Sequence, residues 1–355
     1  MLVGVGVGAA IRLAGPTDDE ARAAVNGLLD RKYKALEARD LDGYMSTIDP
    51  ARIFLRNCAR QRFEAWVRSG EPLPKVSVGR VDKWGKYVRV WLGTKDGWWR
   101  SFARYDGGRW YASEPFPGEL GDHQTKEYAG VKVHYLAAEE DLASVVGEDL
   151  TSIMAGVLPH AAERPSAMFE LEIATLSDPG GDCFIGGTAG RWGTTMIKLN
   201  DVLLTSTYDH LSHETVGIIE HEALHWLQNE HASRTKMRQR PHWWVSEGWP
   251  TLIANNPSLS DRHLATCSSP PSYDDLRLGL RFDAKIEDVA NAYTIAAMLV
   301  ERVAGSSGDV AYWRFFDEFG STTDPYLRAT GSDGRRFYNA WLEEARHLYC
   351  RAGPA

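Results

Sequence analysis

The chain has 355 residues, 48 acidic and 40 basic, and a formal net charge of −8. Acidic balance without a basic run excludes nucleic acid and anionic membrane surfaces as main partners. With 43% hydrophobic and 11% aromatic residues, a soluble enzyme or binding protein of two domains, or one large one, is the default.

Residues 1–11 (MLVGVGVGAAI) are apolar, but Arg12 ends the run. It is too short to span a bilayer and lacks the basic start of a signal peptide. It reads as a flexible tail or as the remnant of an anchor or export signal, which leans the location to outside the cytoplasm. The four cysteines (Cys58, Cys183, Cys267, Cys350) are widely spaced and form no CxxC. One or two disulfides or buried thiols are both open.

Thr17-Asp18-Asp19-Glu20 opens a helix with a cap and acids in its first turn. Val25, Leu28, Leu29, Tyr33 and Leu36 continue it at helical spacing. A second helix is expected after Asp40 and a third over 51–69. Past Pro72 and Pro74 the period becomes two. Strands are expected at 75–82, 86–93, 97–105 and 109–112, separated by Gly85, Asp96-Gly97 and Asp106-Gly107-Gly108. Helices followed by an antiparallel meander predict a small α+β domain.

The opening RAAVNGLLDRKYKALEARDLDGYMSTIDP and the ending RYDGGRWYAS resemble the nuclear-transport-factor-like (SnoaL-like) α+β cone, over roughly 18–115. That resemblance implies helices on an antiparallel sheet and little about function, because the fold hosts enzymes, binding modules and spacers. The stretch 115–128 (PFPGELGDHQTKEY) is rich in Pro, Gly and charge, and 116–128 reads as a linker. A second domain over 129–351 is expected to open with a strand at 131–137, a helix at 139–157 and a strand at 168–174. A Gly-rich loop over 178–193 and a strand at 194–200 would follow.

Next comes His221-Glu222-Ala223-Leu224-His225, the pattern H-E-x-x-H, within VGIIEHEALHWLQNEH. Residues four apart share a helix face, so His221 and His225 aim two imidazoles at one point, as a zinc ion requires. Glu222, one step round, could act on a water activated by the metal without being a ligand. Val216, Ile218, Ile219, Leu224 and Leu227 mark a helix buried in a core.

Two residues compete for the third ligand position. His231 completes H-E-x-x-H-x-x-x-x-x-H, the spacing of metzincins, but the Gly that lets that chain turn is replaced by Gln228. If the helix continues instead, His231 is a surface residue near its end. Glu247 lies in Trp243-Trp244-Val245-Ser246-Glu247-Gly248, an apolar setting in which an unpaired carboxylate is costly. The interval allows a turn near Arg240-Pro241 and a return on a second helix.

The H-E-x-x-H together with W-x-x-E-G resembles the peptidase MA-like (gluzincin) family, over roughly 128–350. The resemblance implies a zincin-like domain with a small mixed sheet, Zn²⁺ held by His221, His225 and Glu247, and Glu222 as general base. NAYTIAAMLVERVAG (291–305) resembles the helix that follows in that family. It places Tyr293 as an oxyanion donor, with a core tyrosine as the alternative. Strand 194–200 resembles the edge strand that pairs with extended substrate. Pro250 departs from the usual E-G-x-A, and its position is read as a first helical turn. Nothing resembles the aminopeptidase G-x-M-E-N element, so a metalloendopeptidase acting on peptide or protein is expected. The alternatives are a metzincin-like peptidase using His231 and a non-catalytic binding or scaffold protein that keeps the fold.

Overall fold

The computed structural model describes residues 17–70, 72, 75–94, 97–174, 187–189, 196–200, 205–206, 210–237, 239–279, 286–321 and 333–350. The Gly-rich stretch 178–193 lies outside them except for 187–189. Helix and sheet are mixed, and the chain divides into two units, 1–116 and 117–355.

In the first unit Thr17 caps α1 (Asp18–Glu37): its hydroxyl accepts from the Glu20 amide while Glu20 accepts from the Thr17 amide. Helices α2 (Leu41–Met45) and α3 (Ile53–Ser69) follow. Strands β1 (Ser77–Trp84), β2 (Tyr87–Thr94), β3 (Gly97–Asp106) and β4 (Arg109–Ser113) pair antiparallel in that order. Gly107 and Gly108, both at positive φ, make the two-residue turn between β3 and β4. Ala21, Val25 and Leu28 of α1 cluster with Val81, Val88, Val90, Leu92 and Ala103 of the sheet. These elements form the expected helices-on-meander arrangement.

The second unit begins differently from the sequence reading. Residues 123–128, expected in a linker, form β5 (His123–Tyr128), antiparallel to β6 (Val131–Leu136). Five of its six residues are exposed, so no apolar alternation marks it; its backbone pairing with β6 makes it a strand. Helix α4 (Glu140–Val157) crosses over to β7 (Phe169–Ala174), which runs parallel to β6. By length and composition the helical stretch Ala137–His160 could cross a bilayer, but Leu142, Val146, Leu150 and Ile153 are buried in the core of this unit.

The sheet order is β5-β6-β7-β9-β8, with β8 at Gly187–Ala189 and β9 at Met196–Asn200. Strand β9 is parallel to β7 and antiparallel to β8. It is therefore an inner strand, paired on both sides. The edge position expected of strand 194–200 belongs, among the described residues, to β8.

The remaining strand of this unit is β10 (Thr205–Ser206), followed by the helices. They are α5 (His213–Thr235), α6 (Trp243–Asn255), α7 (Leu259–Cys267), α8 (Tyr273–Leu278), α9 (Ile286–Ala304), α10 (Gly308–Ser321) and α11 (Gly334–Tyr349). Ser212 caps α5, accepting from the Thr215 amide at 3.1 Å. Ile219, Ala223, Leu224, Trp226 and Leu227 bury much of its surface, as the run around the motif predicts. Helix α6 packs on α5 and on α9. A Cβ on Gly248 would collide with the Ala296 carbonyl oxygen of α9, so glycine is what permits that approach. Cys267 and Cys350 form a disulfide that ties the end of α7 to the end of α11.

Candidate metal centre

His221 and His225 sit one turn apart on α5, and Glu247 lies in the second turn of α6. Packing of α6 on α5 brings Glu247 Oε2 to 3.2 Å from His221 Nε2 and 3.0 Å from His225 Nε2. The two Nε2 atoms are 3.1 Å apart, with the rings edge to face at 4.8 Å. Among the described residues this is the group of three whose ligand atoms, all within 4.8 Å of one another, could hold a metal ion. A tetrahedral zinc with bonds of about 2.0–2.1 Å sets its ligand atoms roughly 3.3–3.4 Å apart. The observed triangle is close to that size.

The donor set fits a cation on chemical grounds. Two imidazole nitrogens that both present lone pairs repel at this separation. A proton or a metal ion must lie among the three atoms. The electrostatics agree. Burial pushes the His225 imidazolium down, but the Glu247 carboxylate beside it overrides this and holds the ring up at about 9. Burial likewise pushes Glu247 up, yet the two histidines hold it well below the usual carboxylate range. The pair concentrates negative charge and lone pairs at one point, in a site where the histidines are 13% and the glutamate 18% exposed.

Glu222 lies on α5 next to His221, half-buried, and its charge acts on His225 and on Tyr293. Tyr293 comes from the third turn of α9, inside the helix. Its ring lies 6.0 Å from that of His221 and 5.0 Å from that of Trp243, edge to face in both cases. Its phenol donates to Glu247, and burial, then the charges of Glu247 and Glu222, push its pKa far above the usual tyrosine range. It therefore stays protonated, as a donor. Trp243 was not singled out from sequence as part of this surface: the tryptophan of W-x-x-E-G is its neighbour Trp244.

His231 is elsewhere. Helix α5 runs on to Thr235, so the chain makes no metzincin turn after Gln228. The ring of His231 is 8% exposed, not on the surface as expected for a continuing helix. It sits 2.6 Å from Asp317 of α10 and against Trp313. Pro250 also departs from expectation. With His242 as N-cap it is the eighth residue of α6, inside the helix, not in the first turn.

No family model and no curated protein matches this sequence. Among solved structures, the chain is similar to native yeast LTA4 hydrolase at 13% identity and a TM-score of 0.35, over 79% of this chain and 44% of that one. A second structure of leukotriene A4 hydrolase from Saccharomyces cerevisiae gives the same identity and TM-score, over 79% and 42%. The chain spans less than half the length of these proteins.

Proposed function

We propose that the second unit is a zinc-dependent hydrolase of the gluzincin type that cleaves peptide bonds, as an endopeptidase. The observation that carries this reading is the convergence of His221, His225 and Glu247 on one point, with Glu222 and Tyr293 beside it. His221, His225 and Glu247 would hold the zinc. When bound, the ion supplies Lewis-acid polarisation at that point. Glu222 takes a proton from the attacking water onto its carboxylate and delivers it to the leaving nitrogen. Tyr293 donates its phenolic proton in a hydrogen bond to the oxygen that gains charge as the carbonyl becomes tetrahedral. An extended peptide can add by backbone pairing to β8, the outermost strand of this sheet among the described residues.

The test is Glu222→Gln, which keeps size and removes basicity. The variant should retain zinc and fold while peptide hydrolysis falls at least about a hundredfold, the usual range for general-base loss. Equal cleavage by both proteins would defeat the mechanism. A zinc-loaded wild type that cleaves nothing in a broad peptide library would favour a binding protein that keeps the fold.

A further inference from the structure

Gln228, which stands where metzincins have Gly, and Pro250, which departs from the gluzincin E-G-x-A, belong to one hydrogen-bonded device. Pro250 has no N–H, so the Ser246 carbonyl one turn earlier in α6 receives no helical donor from it. Gln228 Nε2 of α5 lies 2.8 Å from that carbonyl oxygen and 2.8 Å from the Tyr312 hydroxyl. Tyr312 in turn donates to the Val245 carbonyl at 3.2 Å. All of this is interior: Gln228 is 3% and Tyr312 1% exposed.

The network fixes the orientation of each group. A carbonyl oxygen only accepts, so the amide nitrogen of Gln228 is the end that faces Ser246. Its amide oxygen then faces His225 Nδ1, at 2.8 Å. That oxygen also only accepts, so Nδ1 carries a proton. In the neutral ring the lone pair is therefore on Nε2, the atom that faces Glu247 and His221.

We propose that Gln228 is the positioning residue of the metal centre. It holds the His225 ring in the Nδ1–H tautomer with Nε2 aimed at the ion. It also couples that ring to α6, the helix that carries Glu247, through the Ser246 carbonyl, to which Pro250 has no N–H to donate. The inference rests on the metal-binding reading above. It assigns the task that a neighbouring carboxylate or backbone carbonyl performs at many histidine-ligated zinc sites to a side-chain amide.

The experiment uses the full chain and measures zinc affinity by competition with a chelator, heat stability without metal, and ¹⁵N–¹H imidazole spectra with zinc bound. Gln228→Leu removes all three bonds, to His225, Ser246 and Tyr312, and should weaken zinc binding about 10- to 100-fold. Gln228→Glu keeps an acceptor for Nδ1–H but turns a carboxylate toward the Ser246 carbonyl. It should be less heat-stable and yet bind zinc within about threefold of wild type, well short of the loss in the leucine variant. Wild-type spectra should show His225 protonated at Nδ1 and ligated through Nε2. Zinc affinity in Gln228→Leu equal to wild type would overturn the proposal. So would a loss in Gln228→Glu as large as that in the leucine variant, because packing alone would then explain both. Ligation of wild-type His225 through Nδ1 would overturn it even if neither variant folds. If His225→Ala binds zinc as wild type does, the metal reading itself fails, and that outcome is separate from any result at Gln228.

Discussion

Two buried polar clusters, one in each unit, are built on opposite terms. In the first, Asp49 is fully buried and its carboxylate accepts from Arg104 Nε at 2.7 Å and Nη2 at 2.9 Å. It also accepts from the Ser113 hydroxyl at 2.6 Å and from the Ala51 amide at 2.9 Å. The chain supplies both the acceptors and the donors, and opposite charges meet. In the second, His221, His225 and Glu247 bring two ring nitrogens and a carboxylate oxygen to one point. The neutral phenol of Tyr293 donates to Glu247, and among the described residues the positive charge there is left to a proton or an ion. A cluster that is complete by itself is costly to break from one side. One that lacks its positive charge could take a cation.

The comparison can be broken most forcefully at the third ligand. Glu247→Ala should abolish tight zinc binding, because it removes the carboxylate from the triangle. His231→Ala should leave zinc affinity within about twofold, because that ring is engaged with Asp317. The reverse pattern in a chelator competition would move the metal to His231.

The self-complete cluster makes the opposite prediction. Asp49→Asn leaves Arg104, whose side chain is 14% exposed, with only the exposed Asp106 carboxylate, 3.1 Å away, as counter-charge. Unfolding in urea should show a loss of about 1–3 kcal/mol, the usual cost of leaving buried hydrogen-bonding groups without their charged partner. Zinc content per folded chain should not change. Burial pushes the Asp49 carboxyl up, but the bonds from Arg104 and Ser113 outweigh it and hold the group below its usual range. The folded pKa thus lies under the unfolded one. The contribution is present above the ordinary carboxylate range and disappears as pH falls through the folded value. If Asp49→Asn instead strips zinc from the folded protein, the two clusters are not the separate devices described here.

A smaller effect sharpens how precisely the second cluster is held. Gly248→Ala places a methyl group against the Ala296 carbonyl and should cost about 1–3 kcal/mol by overpacking. Because Glu247 is its neighbour, zinc affinity should fall as well. Unchanged stability and affinity would mean that α6 has slack against α9.

What was legible in the sequence follows the same division. Local signals were enough for the helix start capped at Thr17, for the meander with its glycine turns, and for the helix that carries His221 and His225. Glu247 was legible because its apolar neighbours make an unpaired carboxylate costly, and the structure does bring it to the two histidines. The failures are non-local. Strand β5 is polar on both faces and takes its identity from β6. The partner of His231 lies 86 residues away, on a helix whose packing no local pattern states. The link between Cys267 and Cys350 spans 83 residues. Asp49 gave no signal, because its donors come from β3 and β4. Gln228 and Pro250 were visible only as departures from a pattern. Their common purpose appears once α5 and α6 lie side by side.

The most direct test of the central claim is the zinc content of the purified full-length chain, dialysed against metal-free buffer, measured beside His225→Ala prepared the same way. The account predicts about one zinc per wild-type chain and essentially none in the variant, which has lost one of three protein ligands. Equal zinc in the two proteins, or none in the wild type after zinc is supplied in excess, would contradict it.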